Sequence, residues 1–226
     1  MTTALRRAVS RLARTPVLEP AALWLRRRTF PGTAAYWERR YAAGGTSGAG
    51  SSGPRAAWKA EVVNGWVREL GATSVVDLGC GDGQQLALAE YPRYLGIDAS
   101  ATAVRLCMER FAGDRDKSFL HLPPGEFSDP AGWLRGDLAL SMEVLFHLVE
   151  QEVFEDYLRT LFASAERWVV ICGIDRTGVR KAATEQHRSF SEWIAVHEPG
   201  WRLRDRRDPP EGVDLMSSLY CYERVS

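Results

Sequence analysis

The sequence predicts an α/β domain, a parallel sheet with helices on both faces. Three observations predict it. From about residue 56, short apolar runs alternate with longer amphipathic ones. One apolar run, Val75-Val76-Asp77-Leu78, empties into the turn Gly79-Cys80-Gly81-Asp82-Gly83, and the next, Tyr94-Leu95-Gly96-Ile97, ends on Asp98. Strands that alternate with helices pair in parallel, because each crossover helix carries the chain back to the same end of the sheet.

Taken in order, helical spacing runs through 57–70, and a short apolar strand follows at 74–78 with its turn at 79–83. A helix is predicted at 84–89, a strand at 94–97, a helix at 101–111 and a strand at 119–122. Residues 137–141 read as a strand, 153–165 as a helix, 168–172 as a strand and 187–197 as a helix. The segments 201–204 and 218–224 read as a closing hairpin. Trp133, Trp168 and Trp201 are expected in core or rim packing.

The 226 residues suit one compact domain with an N-terminal appendage. At 45% hydrophobic and 26% charged, the chain is neither a collagen, a coiled coil nor wholly disordered. Twenty-nine basic residues balance 29 acidic ones, so overall charge offers no argument for nucleic acid. Cys80, Cys107, Cys172 and Cys221 are far apart and form no CxxC pair. A disulfide framework or a structural zinc site is therefore not expected, and a reducing cytoplasm is. No apolar run reaches the roughly 18 residues that span a bilayer. Pro16, Glu19 and Pro20 interrupt the stretch that a signal peptide would keep apolar.

Residues 1–30 form the appendage. It carries Arg6, Arg7, Arg11, Arg14, Arg26, Arg27 and Arg28 against Glu19 alone. Leu5, Ala8, Val9 and Leu12 recur at helical spacing, which suits either peripheral contact with a membrane surface or acidic partner, or a solvated tail. Residues 31–55 pass from the aromatic Tyr36-Trp37-Glu38-Arg39-Arg40-Tyr41 into a Gly/Ser stretch. A linker has no need of aromatics at its mouth, so a loop closing over a ligand is the competing expectation. Residues 56–226 make up the remaining domain.

The glycine turn lets a ligand approach backbone without meeting a Cβ, and the segment after it offers unpaired N–H groups. The dinucleotide fingerprint G-x-G-x-x-G fails at Gln84, and G-x-x-x-x-G-K-[ST] does not occur. Asp98 at a strand tip can accept hydrogen bonds from both hydroxyls of a ribose, or can serve as a helix N-cap.

Asp77-x-Gly79-x-Gly81-x-Gly83 together with Asp98 resembles the class I S-adenosylmethionine-dependent methyltransferases, over roughly residues 36–224. The resemblance implies a Rossmann-like, seven-stranded, mostly parallel sheet whose last strand is antiparallel. It implies S-adenosyl-L-methionine as cofactor. Gly79 and Gly81 would then face its methionine part, Asp98 would hold its ribose, Asp77 would orient the amino group or the loop, and Cys80, Gln84 and Ala99 would also contact the cofactor. The segment 36–53 is similar to small bacterial methyltransferases of polysaccharide or secondary-metabolite biosynthesis. Tyr36 and Tyr41 would close over the cofactor, although Ser51-Ser52-Gly53 stands where those relatives carry Ser-Tyr-Gly. Lys59 would reach the cofactor carboxylate or simply be solvated.

By the same resemblance Ser141 and Met142 at the end of the fourth strand contribute backbone contacts to the cofactor. Glu143 and His147 are four residues apart, so on a helix they share a face. A carboxylate beside a histidine raises its pKa and fixes its orientation. His147 is the candidate general base, oriented by Glu143, or else it merely lines the pocket. His187 and Arg188 either bind a hydroxylated or anionic acceptor or form a surface pair beside a buried Phe190 and Trp193. The expected activity is O-methylation of a small molecule, a sugar or glycoside hydroxyl, with N-methylation of a small amine and a non-catalytic partner subunit as alternatives. No metal and no nucleic acid are expected.

Overall fold

A computed structural model of the chain describes residues 30–178, 182–213 and 216–225. The expected basic helix near the start, and nearly all of the 1–30 appendage, lie outside the described residues.

The first helix among the described residues, α1 (Thr33–Ala42), is one that the sequence reading does not assign. Helix α2 (Gly53–Leu70) starts with Pro54 in its first turn, where the missing N–H costs nothing, and ends at Gly71 in the left-handed region. Then follow β1 (Ser74–Leu78), β2 (Arg93–Asp98), α3 (Ala101–Arg110), β3 (Lys117–His121), β4 (Gly136–Met142) and α4 (Gln151–Ala163). The chain closes with β5 (Ala165–Gly173), α5 (Phe190–His197), β6 (Trp201–Arg207) and β7 (Ser218–Arg224). Ser100 caps α3 by accepting from Ala103 N, and Ser189 caps α5 by accepting from Glu192 N.

The seven strands lie in the order β3-β2-β1-β4-β5-β7-β6. All neighbours from β3 to β5 pair in parallel, whereas β7 runs antiparallel between β5 and β6. Strand alternation divides the core between the two faces. On β5, Val169 and Ile171 pack with Phe154, Leu158 and Phe162 of α4, while Trp168, Val170 and Cys172 join Val63 and Trp66 of α2. The four cysteines are buried free thiols. Among the described residues, no helix is long and apolar enough to cross a membrane.

Three local expectations are corrected. The helix predicted at 84–89 is only a 3-10 turn, Leu86–Leu88. Asp82 holds both Gln84 N and Gln84 Nε2, and Pro92 follows before a longer helix could form. The helix predicted from residue 187 starts at Phe190, because Ser189 is its cap. Trp168 and Trp201 are buried, but Trp133 is 85% exposed on the loop before β4.

Candidate active site

The carboxyl ends of β1, β2 and β4 open into one cavity of about 460 Å³. This is the edge of an open α/β sheet where the strand order reverses and ligands enter. The glycine turn forms its floor. Gly79 N and Cys80 N both donate to Ile97 O of β2, at 2.7 and 3.2 Å. Gly79 sits at φ +79°, and a Cβ there would lie 2.5 Å from Val144 Cγ2, so only glycine fits. Asp98, the last residue of β2, accepts from Gly81 N at 2.9 Å and from Ser100 N at 2.8 Å. Each carboxylate oxygen thus spends one lone pair on the scaffold and keeps another. Burial pushes the Asp98 carboxyl above its usual range, against the pull of those two hydrogen bonds.

Asp77 lies deeper. Tyr94 donates to its Oδ2 at 2.8 Å, while Oδ1 is buried with no hydrogen-bond partner among the described residues. Burial raises its pKa to about 7, opposed by the Tyr94 hydrogen bond. Gln85 on the same wall gives Nε2 to Ala56 O, and its Oε1 is likewise buried without a partner. Opposite in charge is Lys59 of α2, 1% exposed, whose Nζ lies 2.6 Å from Glu143 Oε2. The cavity wall therefore carries two orphaned acceptors, two buried carboxyls and a buried ammonium. Unsatisfied buried polar atoms are rare, and a cluster of them asks for a ligand with complementary charges.

Helix α1 covers this floor and is tied down along its length. Thr33 Oγ1 donates to Glu150 Oε2 at 2.6 Å, and Glu38 accepts from Ser100 Oγ and Thr102 Oγ1, both at 2.6 Å. At the far end the Tyr41 hydroxyl meets Ser47 Oγ at 3.0 Å, and Ser47 Oγ donates to Asp82 Oδ1 at 2.8 Å. The aromatic segment is thus a helical wall of the cavity rather than a linker.

The arrangement of Glu143 and His147 differs from expectation. Residues 145–147 form a single 3-10 turn, so the two side chains do not share a helical face. Glu143 is the only non-glycine at positive φ (61°) among the described residues, and its carboxylate is engaged by Lys59 and by Ser217 Oγ at 3.1 Å. His147 is oriented instead by Thr184 O, 3.2 Å from Nδ1. A carbonyl only accepts, so Nδ1 carries the hydrogen and Nε2 keeps its lone pair. Burial lowers the His147 pKa, outweighing the Thr184 hydrogen bond and the charges of Glu185 and Glu143, so the expected rise is reversed. Trp37 lies edge-on to the His147 ring at 4.9 Å between centroids, and Phe146 lies tilted against it at 4.4 Å.

No protein-family model matches the chain. No curated protein matches it. Solved structures do. The N-methyltransferase NodS from Bradyrhizobium japonicum, in complex with S-adenosylhomocysteine, aligns over 86% of this chain and 100% of its own, at 14% identity and TM-score 0.66. The magnesium protoporphyrin IX methyltransferase of Synechocystis, also with S-adenosylhomocysteine, aligns over 88% and 97%, at 18% identity and TM-score 0.59. The methyltransferase domain of bacterial CtHen1 aligns over 75% and 98%, at 19% identity and TM-score 0.60. This chain has the fold of the class I methyltransferases.

Within that methyltransferase fold, the cavity brings together Tyr36, Tyr41, Asp77, Gly79, Cys80, Gly81, Asp98, Ala99, Met142, Glu143 and His147 of the residues singled out from sequence. Two do not line it. Gln84 turns away onto Asp82, and Ser141 lies behind the wall with its Oγ 2.8 Å from the Tyr157 hydroxyl. His187 and Arg188 also stand outside: Arg188 donates to Leu148 O and Val149 O, and Phe190 and Trp193 beside them are buried. Lys59 is not solvated. Sequence reasoning missed Gln85, Tyr94, Asp82 and Arg40. Gln85 is one step from the residue chosen, an offset that the shape of the turn decides, and the others needed tertiary pairing to be noticed.

Proposed function

We propose that the chain is an S-adenosylmethionine-dependent methyltransferase acting on the hydroxyl of a small molecule. The carrying observation is the charge pattern of the deep cavity. A zwitterionic methionine tail complements it: its ammonium answers Asp77 Oδ1 and Gln85 Oε1, which have no partner among the described residues, and its carboxylate answers the buried Lys59. Asp98, with one lone pair free on each oxygen, suits the two hydroxyls of a ribose. Two buried carboxyls whose ionised forms are costly also favour a cationic guest. When bound, the cofactor supplies an electrophilic methyl group on a sulfonium.

The fold alone does not choose the acceptor atom, since its solved relatives include an N-methyltransferase and a carbon methyltransferase. His147 supports the choice of a hydroxyl. A neutral imidazole with Nε2 unprotonated can take a hydroxyl proton, a service worth roughly 10²–10⁴-fold to a poor nucleophile. Glu143 is a positioning residue rather than a partner of His147. It ties the β4 tip to α2 and to the start of β7. The helical wall of residues 31–55 would act as the lid, excluding water from the reacting atoms. A sugar hydroxyl was the acceptor expected from sequence.

Isothermal titration of the full chain with S-adenosylmethionine and S-adenosylhomocysteine tests the assignment. Binding to the wild type, lost in Asp98→Ala with an unchanged circular dichroism spectrum, is the expected result. An empty titration, or equal binding by the variant, overturns it.

A further inference from the structure

The part of the cavity around His147 differs in chemistry from the cofactor end. Its walls are aromatic. Trp37 and Phe146 flank the imidazole, Tyr36 stands edge-on to Trp37 at 5.6 Å, and Phe127 lines the same cavity. At its rim is Arg40, whose Nε donates to Thr46 O at 2.6 Å and whose guanidinium carbon lies 5.4 Å from the Trp37 ring centroid. Arg40 forms no ion pair among the described residues, although it lines the cavity. A partly buried arginine held by one backbone bond keeps most of its five donors for something else.

We propose that the acceptor is a hydroxylated aromatic ring bearing an acidic substituent, an aromatic hydroxy acid, rather than a sugar. This inference rests on the methyltransferase reading of the site. A flat ring gains from offset or edge-to-face contact with Trp37 and Phe146, whereas a sugar would need polar partners on several sides at once. Arg40 supplies the bidentate, charge-assisted contact that an aromatic carboxylate or sulfonate takes. The groups facing His147 divide the electrostatic work. Glu185 and Glu143 favour the imidazolium that forms when the base is protonated, and Arg40 disfavours it until an anion neutralises the guanidinium. The acidic substituent therefore binds the acceptor and also raises the basicity of the base.

Nε2 of His147 takes the proton of the ring hydroxyl, the oxygen forms a bond to the methyl carbon, and the sulfur–methyl bond breaks with its electron pair staying on sulfur. The products are an aryl methyl ether, S-adenosylhomocysteine and an imidazolium that releases its proton to water.

The test uses the full chain. S-adenosylhomocysteine is titrated first, and its binding or failure judges the methyltransferase reading alone. Then 4-hydroxybenzoate, phenol and methyl β-glucoside are titrated into the protein saturated with S-adenosylhomocysteine. The expected order is 4-hydroxybenzoate at least tenfold tighter than phenol, with the glucoside undetectable. Arg40→Gln should bring 4-hydroxybenzoate down to the level of phenol, and Arg40→Lys should restore part of the difference. Trp37→Leu should weaken both aromatic ligands. Binding of the glucoside as tight as that of the arene, or an acid preference that Arg40→Gln leaves intact, overturns the aromatic acid while leaving the cofactor assignment standing.

Discussion

Asp77 gives the sharpest quantitative test of the site. Its carboxyl is buried, holds one hydrogen bond and titrates near 7 rather than near 4. A group whose folded pKa is raised contributes most below its unfolded pKa, and that contribution is lost as pH climbs through the folded value. Ionising Asp77 in the empty site therefore costs the fold progressively from about pH 4 to about pH 7. At roughly 1.4 kcal/mol per unit of displacement, the full cost is about 4 kcal/mol, of which about 2.5 falls between pH 5 and pH 8. Asp77→Asn keeps an acceptor for the Tyr94 hydroxyl but has nothing to ionise. Urea unfolding of both proteins at the two pH values isolates the effect, since the other acids whose pKa desolvation raises, Asp98 and Glu198, cancel in the difference. Relative to the variant, the wild type should lose about 2.5 kcal/mol on going from pH 5 to pH 8. An ammonium docking on Oδ1 favours the ionised form, so binding of S-adenosylhomocysteine near pH 6 should release a proton, seen in titrations in buffers of different ionisation enthalpy. A wild-type-minus-variant difference that does not move with pH refutes the reasoning, as does ligand binding without proton release.

The remaining predictions concern the walls of the cavity. Glu143→Gln leaves the buried Lys59 ammonium without a counter-charge and should cost about 3–5 kcal/mol, and adding Lys59→Met should recover much of it; chemical denaturation measures both. His147→Ala should lower methyl transfer to a hydroxyl acceptor by roughly 10²–10⁴-fold with unchanged S-adenosylhomocysteine affinity, and unimpaired turnover would remove it as base. In the wild type the rate should persist below pH 6.5, because burial lowers the His147 pKa and keeps the imidazole neutral there. Gly79→Ala forces a Cβ into Val144 at positive φ and should cost about 1–3 kcal/mol as well as cofactor affinity, read by thermal melts with and without ligand.

The fold was legible because its signal is local. The β1 run, the glycine turn and Asp98 at the tip of β2 each announce themselves within ten residues, and the structure places all three together. Where the reading failed, the cause lay in distant partners. Glu143 and His147 look like a helical pair only if the chain continues as a helix, and the positive φ at Glu143 breaks that spacing. Lys59 reads as a surface residue until β4 delivers a carboxylate 84 positions away. Gln84 and Gln85 are indistinguishable in sequence, since only the path of the turn decides which of them faces the cavity. Helix α1 was obscured by its aromatic and arginine content, which tertiary contacts to Ser100, Thr102 and Glu150 stabilise instead.

The bond from Ser217 to Glu143 reaches the site from the threshold of β7, the strand that slots between β5 and β6. A chain with its β1–β4 half assembled would already own the glycine turn and Asp98, yet Glu143 would lack one of its two supports. Ligand affinity should therefore mature only when the antiparallel strand docks, which makes cofactor capture a reporter of completed assembly rather than of early collapse.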